Sequence, residues 1–173
     1  TQVGQQSASQ LWMGTFHSIF CRILRYEAER IGFQSDFTIY DAADSKTLVT
    51  ALIKEMGLDE KVYKPSHVCS QISRAKNALV LPSQYSASAQ LRQADNAARM
   101  PMIHEIYARY YARCRMANAM DFDDILLYTW QLLNEHPDVT ERYASRFRYV
   151  LVDEYQDTNY AQYQIVWLLA RSH

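Results

Sequence analysis

Apolar positions recur at helical spacing through most of the chain, and only short stretches alternate or run continuously. Ile19, Ile23, Leu24 and Ala28 form a first stripe, with Ser18 placed as its cap and Gly32 as its stop. A second stripe, Leu48, Leu52, Ile53 and Met56, follows Asp41 or Asp44 as cap and ends at Gly57. Pro65 and Ser66 open a third helix with Val68, Ile72 and Ala75 on one side. Residues 81–88 read as a loop around Pro82. One long helix then runs to about residue 119 through Ile103, Ile106, Tyr107 and Tyr110, beginning or kinking at Pro101. Asp121 caps a helix through Ile125, Leu126, Tyr128 and Leu132 that closes before Pro137. Residues 139–145 form a short helix, and Asn159 starts a last one bearing Tyr163, Val166, Trp167 and Leu169.

Two segments read as strands, residues 11–15 and 148–152, while 36–41 is an extended connector rich in β-formers. Two strands make a poor sheet alone, and a parallel pair needs neighbours and covering helices. The expected fold class is therefore mostly α. A compact helical insert over residues 33–119 is flanked by part of an α/β domain, residues 1–32 and 120–173, with few strands and its remainder outside this chain.

Composition narrows the picture. The 173 residues, 49% hydrophobic, suffice for one core. No apolar run approaches the roughly 20 residues of a membrane span, and residues 1–10 are polar without the apolar stretch of a signal peptide. Cys21, Cys69 and Cys114 are odd in number and widely spaced, which points to reduced thiols on helix faces in a cytoplasmic protein. A net charge of −1 excludes a generally basic nucleic-acid binder, so any such contact must be local. Among the 13 tyrosines, Tyr107, Tyr110 and Tyr111 lie at helical spacing and could stack bases. Packing inside the helical core, with hydroxyls at its rim, accounts for them better.

The candidate chemistry lies where Val150, Leu151 and Val152 run into Asp153 and Glu154. In open α/β sheets ligands bind at the carboxyl ends of strands. A carboxylate there can hold Mg²⁺, and a second beside it can orient or deprotonate a water. An acidic pair after an apolar run is equally the form of an ordinary solvated strand end. The continuation Tyr155-Gln156-Asp157-Thr158-Asn159 separates the two readings, because Asp153 to Asp157 resembles motif II, Asp-Glu-x-Gln-Asp, of the superfamily 1 DNA helicases of the UvrD/Rep/PcrA group. Gly14-Thr15-Phe16-His17-Ser18 resembles the Gly-Thr-Phe-His segment of the same family. Asp121-Phe122-Asp123-Asp124 resembles its Asp-Phe-Asp-Asp, and Ile72-Ser73-Arg74-Ala75-Lys76-Asn77 a segment of its inserted helical domain. Order and spacing agree from about residue 12 to the C-terminus.

The resemblance implies an all-helical domain 1B inserted into a RecA-like, P-loop NTPase domain 1A. It implies that Asp153, with Glu154 beside it, holds Mg²⁺, that Glu154 activates the attacking water, and that Gln156 senses the γ-phosphate of ATP. Asp157 and Thr158 tie the loop to neighbouring motifs or merely shape a turn. Thr15 and His17 would touch the single-stranded DNA backbone, or else Thr15 merely ends a strand and His17 caps or packs locally; Phe16 lies between them, its ring better suited to the core. Arg74 and Lys76 would meet phosphates of the duplex junction or form a solvated charged face. Asp121, Asp123 and Asp124 read as a helix cap and first-turn acids rather than as a metal cluster.

None of the glycines, Gly4, Gly14, Gly32 and Gly57, lies in a G-x-x-x-x-G-K-[ST] phosphate loop. The resemblance puts that loop before Thr1, and the arginines of a second RecA-like domain after His173. The chain alone is expected neither to hydrolyse ATP nor to unwind DNA. The longer parent would be an ATP-dependent DNA helicase or translocase, moving 3′→5′ with turnover stimulated by single-stranded DNA. Its partners would be single strands, the single–double strand junction and the remaining helicase domains in cis, with no membrane. A helicase–nuclease of the AddA/RecB type shares these motifs. A helical interaction module carrying an inactive motor remnant is the reading from another class.

Overall fold

Side-chain caps fix where most of the helices begin. In the computed structural model, which describes residues 11–171 and so leaves the polar start at 1–10 outside, Thr15 rather than Ser18 caps α1 (Phe16–Glu27). Thr15 Oγ1 accepts the Ser18 amide at 3.2 Å, and the Ser18 hydroxyl donates back to the Thr15 carbonyl at 2.8 Å. A 3₁₀ turn (Ala28–Ile31) carries on to Gly32, whose φ of 76° ends it as expected. Asp41 and Asp44 form a reciprocal capping box on α2 (Ala42–Glu55), and Pro65 stands in the first turn of α3 (Pro65–Asn77).

The segment expected as a loop around Pro82 is a helix, α4 (Pro82–Ala87), since proline's fixed φ suits a first helical turn. The single long helix expected next is two, α5 (Ala89–Ala97) and α6 (Ile103–Met116), broken where Arg99 takes φ 60° ahead of Pro101. After it come α7 (Phe122–Glu135), held by a capping box between Asp121 and Asp124, and α8 (Pro137–Arg146). A 3₁₀ turn (Tyr155–Asp157) precedes α9 (Tyr160–Ala170), which Asn159 caps. This last helix buries Ala161, Ile165, Leu168 and Leu169 and leaves Tyr163 and Trp167 exposed, so its inner face is rotated from the expected stripe.

Neither expected strand forms. Residues 11–15 and 148–152 are irregular, and Tyr149 and Leu151 are 88% and 95% exposed. A strand is held by ladder hydrogen bonds to a neighbour, and among the described residues neither segment has one. The two strands that do form are β1 (Thr38–Tyr40), within the segment read as a connector, and β2 (Ala119–Asp121). They run parallel, with Thr38, Ile39 and Tyr40 opposite Ala119, Met120 and Asp121. Asn118, at φ 49°, turns the chain from α6 into β2; its side chain accepts from the Gln34 amide and donates to Asp36. The fold is mostly helical with this small parallel sheet.

Apolar side chains gather in two clusters. One joins Phe20, Ile23 and Leu24 of α1 to Leu126, Leu132, Ile165 and Leu168 of α7 and α9. The other joins Val49 and Ile53 of α2, Val68 and Ile72 of α3, and Ile106, Tyr107 and Tyr110 of α6. Tyr107 and Tyr110 are fully buried, so their rings pack rather than present a stacking face, and their hydroxyls donate to the Val80 carbonyl and to Asp121. All three cysteines are free thiols. No helix among the described residues is long and apolar enough to cross a membrane.

Candidate functional site

The acidic pair lies on a tight turn. Past Phe147 the chain is irregular until Glu154, which takes the left-handed conformation (φ 48°, ψ 45°). A side chain held there costs roughly 1–2 kcal/mol, and such strain clusters at functional sites. The Glu154 amide donates to Asp153 Oδ1 at 2.9 Å. The turn then closes as the Asp157 amide donates to the Glu154 carbonyl and the Thr158 amide to that of Tyr155. Asp153, Glu154, Gln156 and Asp157 are all exposed. Thr158 is half-buried, and its Oγ1 is enclosed without a hydrogen-bond partner.

The donor set at this turn fits a hard cation such as Mg²⁺. Asp153 and Glu154 offer hard oxygens, and among the described residues no cluster of three or more His, Cys, Asp or Glu side chains could cage a metal. Mg²⁺ takes one or two carboxylates and completes its shell with water and phosphate oxygens. One oxygen of Asp153 is engaged by the Glu154 amide, leaving the other for such a contact.

The Gly-Thr-Phe-His segment forms the start of α1. Thr15 is exposed; its oxygen accepts the capping bond, which leaves its hydroxyl hydrogen for another acceptor. Phe16 packs against Phe20 at 5.6 Å between ring centres and leans on the first core, so its ring serves packing. His17, half-buried, meets Phe122 edge-on at 5.8 Å.

Arg74 and Lys76 part company. Arg74 is exposed on α3. Lys76 is fully buried, and its Nζ lies 2.7 Å from Asp121 Oδ2 and 2.7 Å from Asp124 Oδ1. It donates to Asp121, while Asp124 Oδ1 is close but off the line of a hydrogen bond. The ammonium also sits over the Tyr110 ring, 4.7 Å from its centre, and Tyr110 donates to Asp121 Oδ2 at 2.7 Å. The expected duplex contact is thus corrected for Lys76: it has no surface to offer a phosphate. The signal was present in the sequence, because Lys76 takes the next place after Val68 and Ile72 at four-residue steps along the apolar stripe.

Electrostatics follow from this enclosure. Burial works against charge on Lys76, but Asp124 and Asp121 outweigh it and hold the ammonium well above its ordinary range. Burial likewise opposes charge on Asp121, yet Lys76 and the Tyr110 hydroxyl bring it below the usual carboxylate value. Asp124, fully enclosed and beside the Asp121 charge, is pushed up to about 7. One cation between two carboxylates leaves a surplus negative charge, which is why the more deeply enclosed of the two, Asp124, is the one pushed up.

Asn77, which sequence reasoning passed over as a site residue, completes the assembly. Its Nδ2 donates to Asp123 Oδ1 at 2.8 Å and to the Ser73 carbonyl at 2.9 Å, and its Oδ1 accepts from Asn159 Nδ2 at 2.9 Å. Segments far apart in sequence therefore meet around the last turn of α3. His17 touches Phe122, Lys76 holds Asp121 and Asp124, and Asn77 joins Asp123 to the residue capping the helix after the acidic turn. An open groove of about 370 Å³ lies beside this junction, at the carboxyl ends of both strands, lined by Tyr40, Lys46, Ser70, Tyr110, Asp121 and Phe122 among others.

Comparison with known proteins places this arrangement in context. The family model described as the UvrD/REP helicase N-terminal domain matches residues 1–173. The chain is similar to the ATP-dependent DNA helicase PcrA of Leuconostoc citreum, 40% identical over 98% of this chain and 22% of that protein. It is 45% identical to the ATP-dependent DNA helicase UvrD1 of Mycobacterium leprae over 95% of this chain and 21% of the relative. With PcrA of Staphylococcus aureus (strain Mu50) it shares 41% identity over 97% of this chain and 22% of the relative. The chain spans about a fifth of the length of these relatives.

Proposed function

The chain belongs to the UvrD/REP helicase N-terminal domain family, and from that membership we propose that it is the part of an ATP-dependent DNA helicase bearing the water-activating turn of the ATP site and a stretch of the DNA path. The observation that carries the reading is the turn at 153–157, where two adjacent exposed carboxylates are held at a left-handed Glu154 and followed by an exposed Gln156. Bound with ATP, Mg²⁺ would neutralise charge on the phosphoryl oxygens. Asp153 supplies the metal-facing carboxylate, Glu154 takes the proton of the attacking water, and Gln156 reports the γ-phosphate to the DNA-contacting segments. Thr15 and His17 at the head of α1 touch the single-stranded backbone, fixing its position without reading its sequence. Arg74, exposed on α3, meets phosphates at the junction with duplex.

Residues 1–32 and 120–173 are read as part of a RecA-like domain 1A, and 33–119 as a helical domain 1B. The two apolar clusters support that division, although Phe33, Phe37 and Leu79 pack with the first cluster. In the longer parent, a cytoplasmic 3′→5′ motor, the other domains act in cis and close on ATP. The chain alone, whose sequence holds no Gly-rich phosphate loop, does not turn over ATP.

The test is ATP turnover by the full-length parent, with and without single-stranded DNA, beside Glu154→Gln. DNA-stimulated turnover that falls about a hundredfold or more in the variant, the size of a general-base contribution, with ATP binding retained, is the expected result. A wild type that never turns over, or a variant that turns over normally, overturns the reading.

A further inference from the structure

The last turn of α3 presents two consecutive side chains to two different partners. Lys76 is locked to the start of α7 by the buried ion cluster. Asn77, beside it, spans from Asp123 on α7 to Asn159, the cap of α9. Asn159 lies two residues beyond Asp157, the end of the turn that follows Asp153 and Glu154, and both ends of its carboxamide are engaged: Oδ1 accepts the Gln162 amide at 2.9 Å while Nδ2 donates to Asn77. The carboxamide of Asn77 makes one bond more, donating to Asp123 and to the Ser73 carbonyl and accepting from Asn159. Each amide is oriented by its other bonds, so the contact between them is set by geometry on both sides.

From this we infer that Asn77 is a positioning residue: it pins the exit of the acidic turn to α3, so that the placement of the helical segment and that of the Asp153–Glu154 turn are coupled through one side chain. The inference rests on the function proposed above. The residues between Glu154 and Asn159 form a single 3₁₀ turn closed by two backbone bonds. Such a short connection passes a shift at Asn159 to Glu154 with little room to absorb it. Because Lys76 fixes α3 to α7, a displacement of α3 carries the start of α7 with it. Asn77 is the contact by which the acidic turn follows. Loss of the pin leaves the buried cluster intact, since the side chain of Asn77 bonds to Ser73, Asp123 and Asn159 and to no member of that cluster.

Asn77→Ala, Asn159→Ala and the double variant, each in the full-length helicase, test this by two readouts. Hydrogen exchange of backbone amides 157–162 should quicken in Asn77→Ala; unchanged exchange overturns the pin whatever the turnover does. The ratio of DNA-stimulated to DNA-free ATP turnover should fall about fivefold in each single variant, the factor roughly one net hydrogen bond is worth. It should fall no further in the double variant, as members of one link are not additive. Single variants with wild-type stimulation, or losses that multiply, overturn the coupling. Failure of the underlying reading looks different: there the wild type shows no stimulation, or Glu154→Gln keeps it, and the coupling falls with it. Thermal melting within a few degrees of the wild type shows that the variants are folded.

Discussion

Replacing Lys76 by methionine removes one charge and keeps nearly the same volume, so it isolates the electrostatics of the buried cluster. Lys76 has no exposed side-chain surface, and Asp121 and Asp124 keep 11% and 2% of theirs. Without the ammonium, two carboxylates face each other away from water. Breaking a buried pair in this way costs about 3–5 kcal/mol, a large part of the roughly 5–15 kcal/mol that holds a domain folded. For a chain of this size that corresponds to a fall in Tm of about 6–20 °C. Urea and thermal denaturation followed by circular dichroism measure it directly. The loss should shrink as pH falls. Carboxyls left buried without a cation have folded pKa values above their unfolded ones; the stability they contribute is full at low pH and is lost as pH rises through the folded values. Adding Asp124→Asn to Lys76→Met should restore part of the loss. It removes the like charge while Asp121 keeps the Tyr110 hydroxyl and the Asp124 backbone amide as donors. Arg74→Met, two residues earlier on α3 and on its exposed side, should cost under about 0.5 kcal/mol. A Lys76→Met loss below about 1 kcal/mol, or one indifferent to pH, would refute the buried-cluster argument and return Lys76 to the surface.

The remaining expectations concern neighbouring residues. Burial pushes the Asp124 carboxyl up to about 7. Its contribution is therefore present below the ordinary carboxyl range and lost as pH rises through that value. The urea midpoint of the wild type should fall more between about pH 5 and pH 8 than that of Asp124→Asn, and parallel pH profiles would exclude the shift. Thr15→Ala should cost about 1 kcal/mol by removing the cap of α1, while Thr15→Ser keeps it; equal melting of all three proteins would deny Thr15 that role. Arg74→Ala in the full-length parent should make the salt dependence of junction binding shallower by about 1 in logarithmic slope, and an unmoved slope takes Arg74 off the DNA path.

The helices were legible wherever a cap and a periodic stripe coincided. Asp41, Pro65, Asp121 and Asn159 each start the helix they announce, because their side chains or fixed φ satisfy the first turn locally. What depended on distant partners was not legible. β1 and β2 have three residues each, too few to show a period of two, and each exists only because the other lies alongside. The run at 148–152 has the composition of a buried strand and lacks a neighbour among the described residues, so composition did not decide its state. Pro82, in a segment that reads as a loop, begins a helix, while Pro101, which reads as a helix start or a kink, lies in the break just ahead of α6. Of the site, the acidic turn and the head of α1 could be picked out by motif. The burial of Lys76 could have been found from its place in the stripe at Val68 and Ile72, had periodicity been weighed above charge.

The chain carries two acidic motifs, Asp121-Phe122-Asp123-Asp124 and Asp153-Glu154, which composition does not tell apart. Burial does. Asp121 ends a strand whose three residues are all buried, and it caps a helix that packs into the core; its negative charge is met there by Lys76. Although Asp121 borders the groove, its carboxylate is already engaged by Lys76, the Tyr110 hydroxyl and the Asp124 amide. Asp153 and Glu154 follow an exposed segment and are themselves exposed, with only the Glu154 amide on the Asp153 carboxylate. Water can reach them, and a general base must meet the water it deprotonates. The same α3 turn touches both motifs, through Lys76 to the first and through Asn77 toward the second. The buried charge cluster joins α3 to the first motif by several contacts at once, whereas a single hydrogen bond between Asn77 and Asn159 joins it to the second. Movement of α3 should therefore carry the first motif rigidly along and strain or release the second, which makes the amide pair the place where a change in the helical segment becomes a change at Glu154.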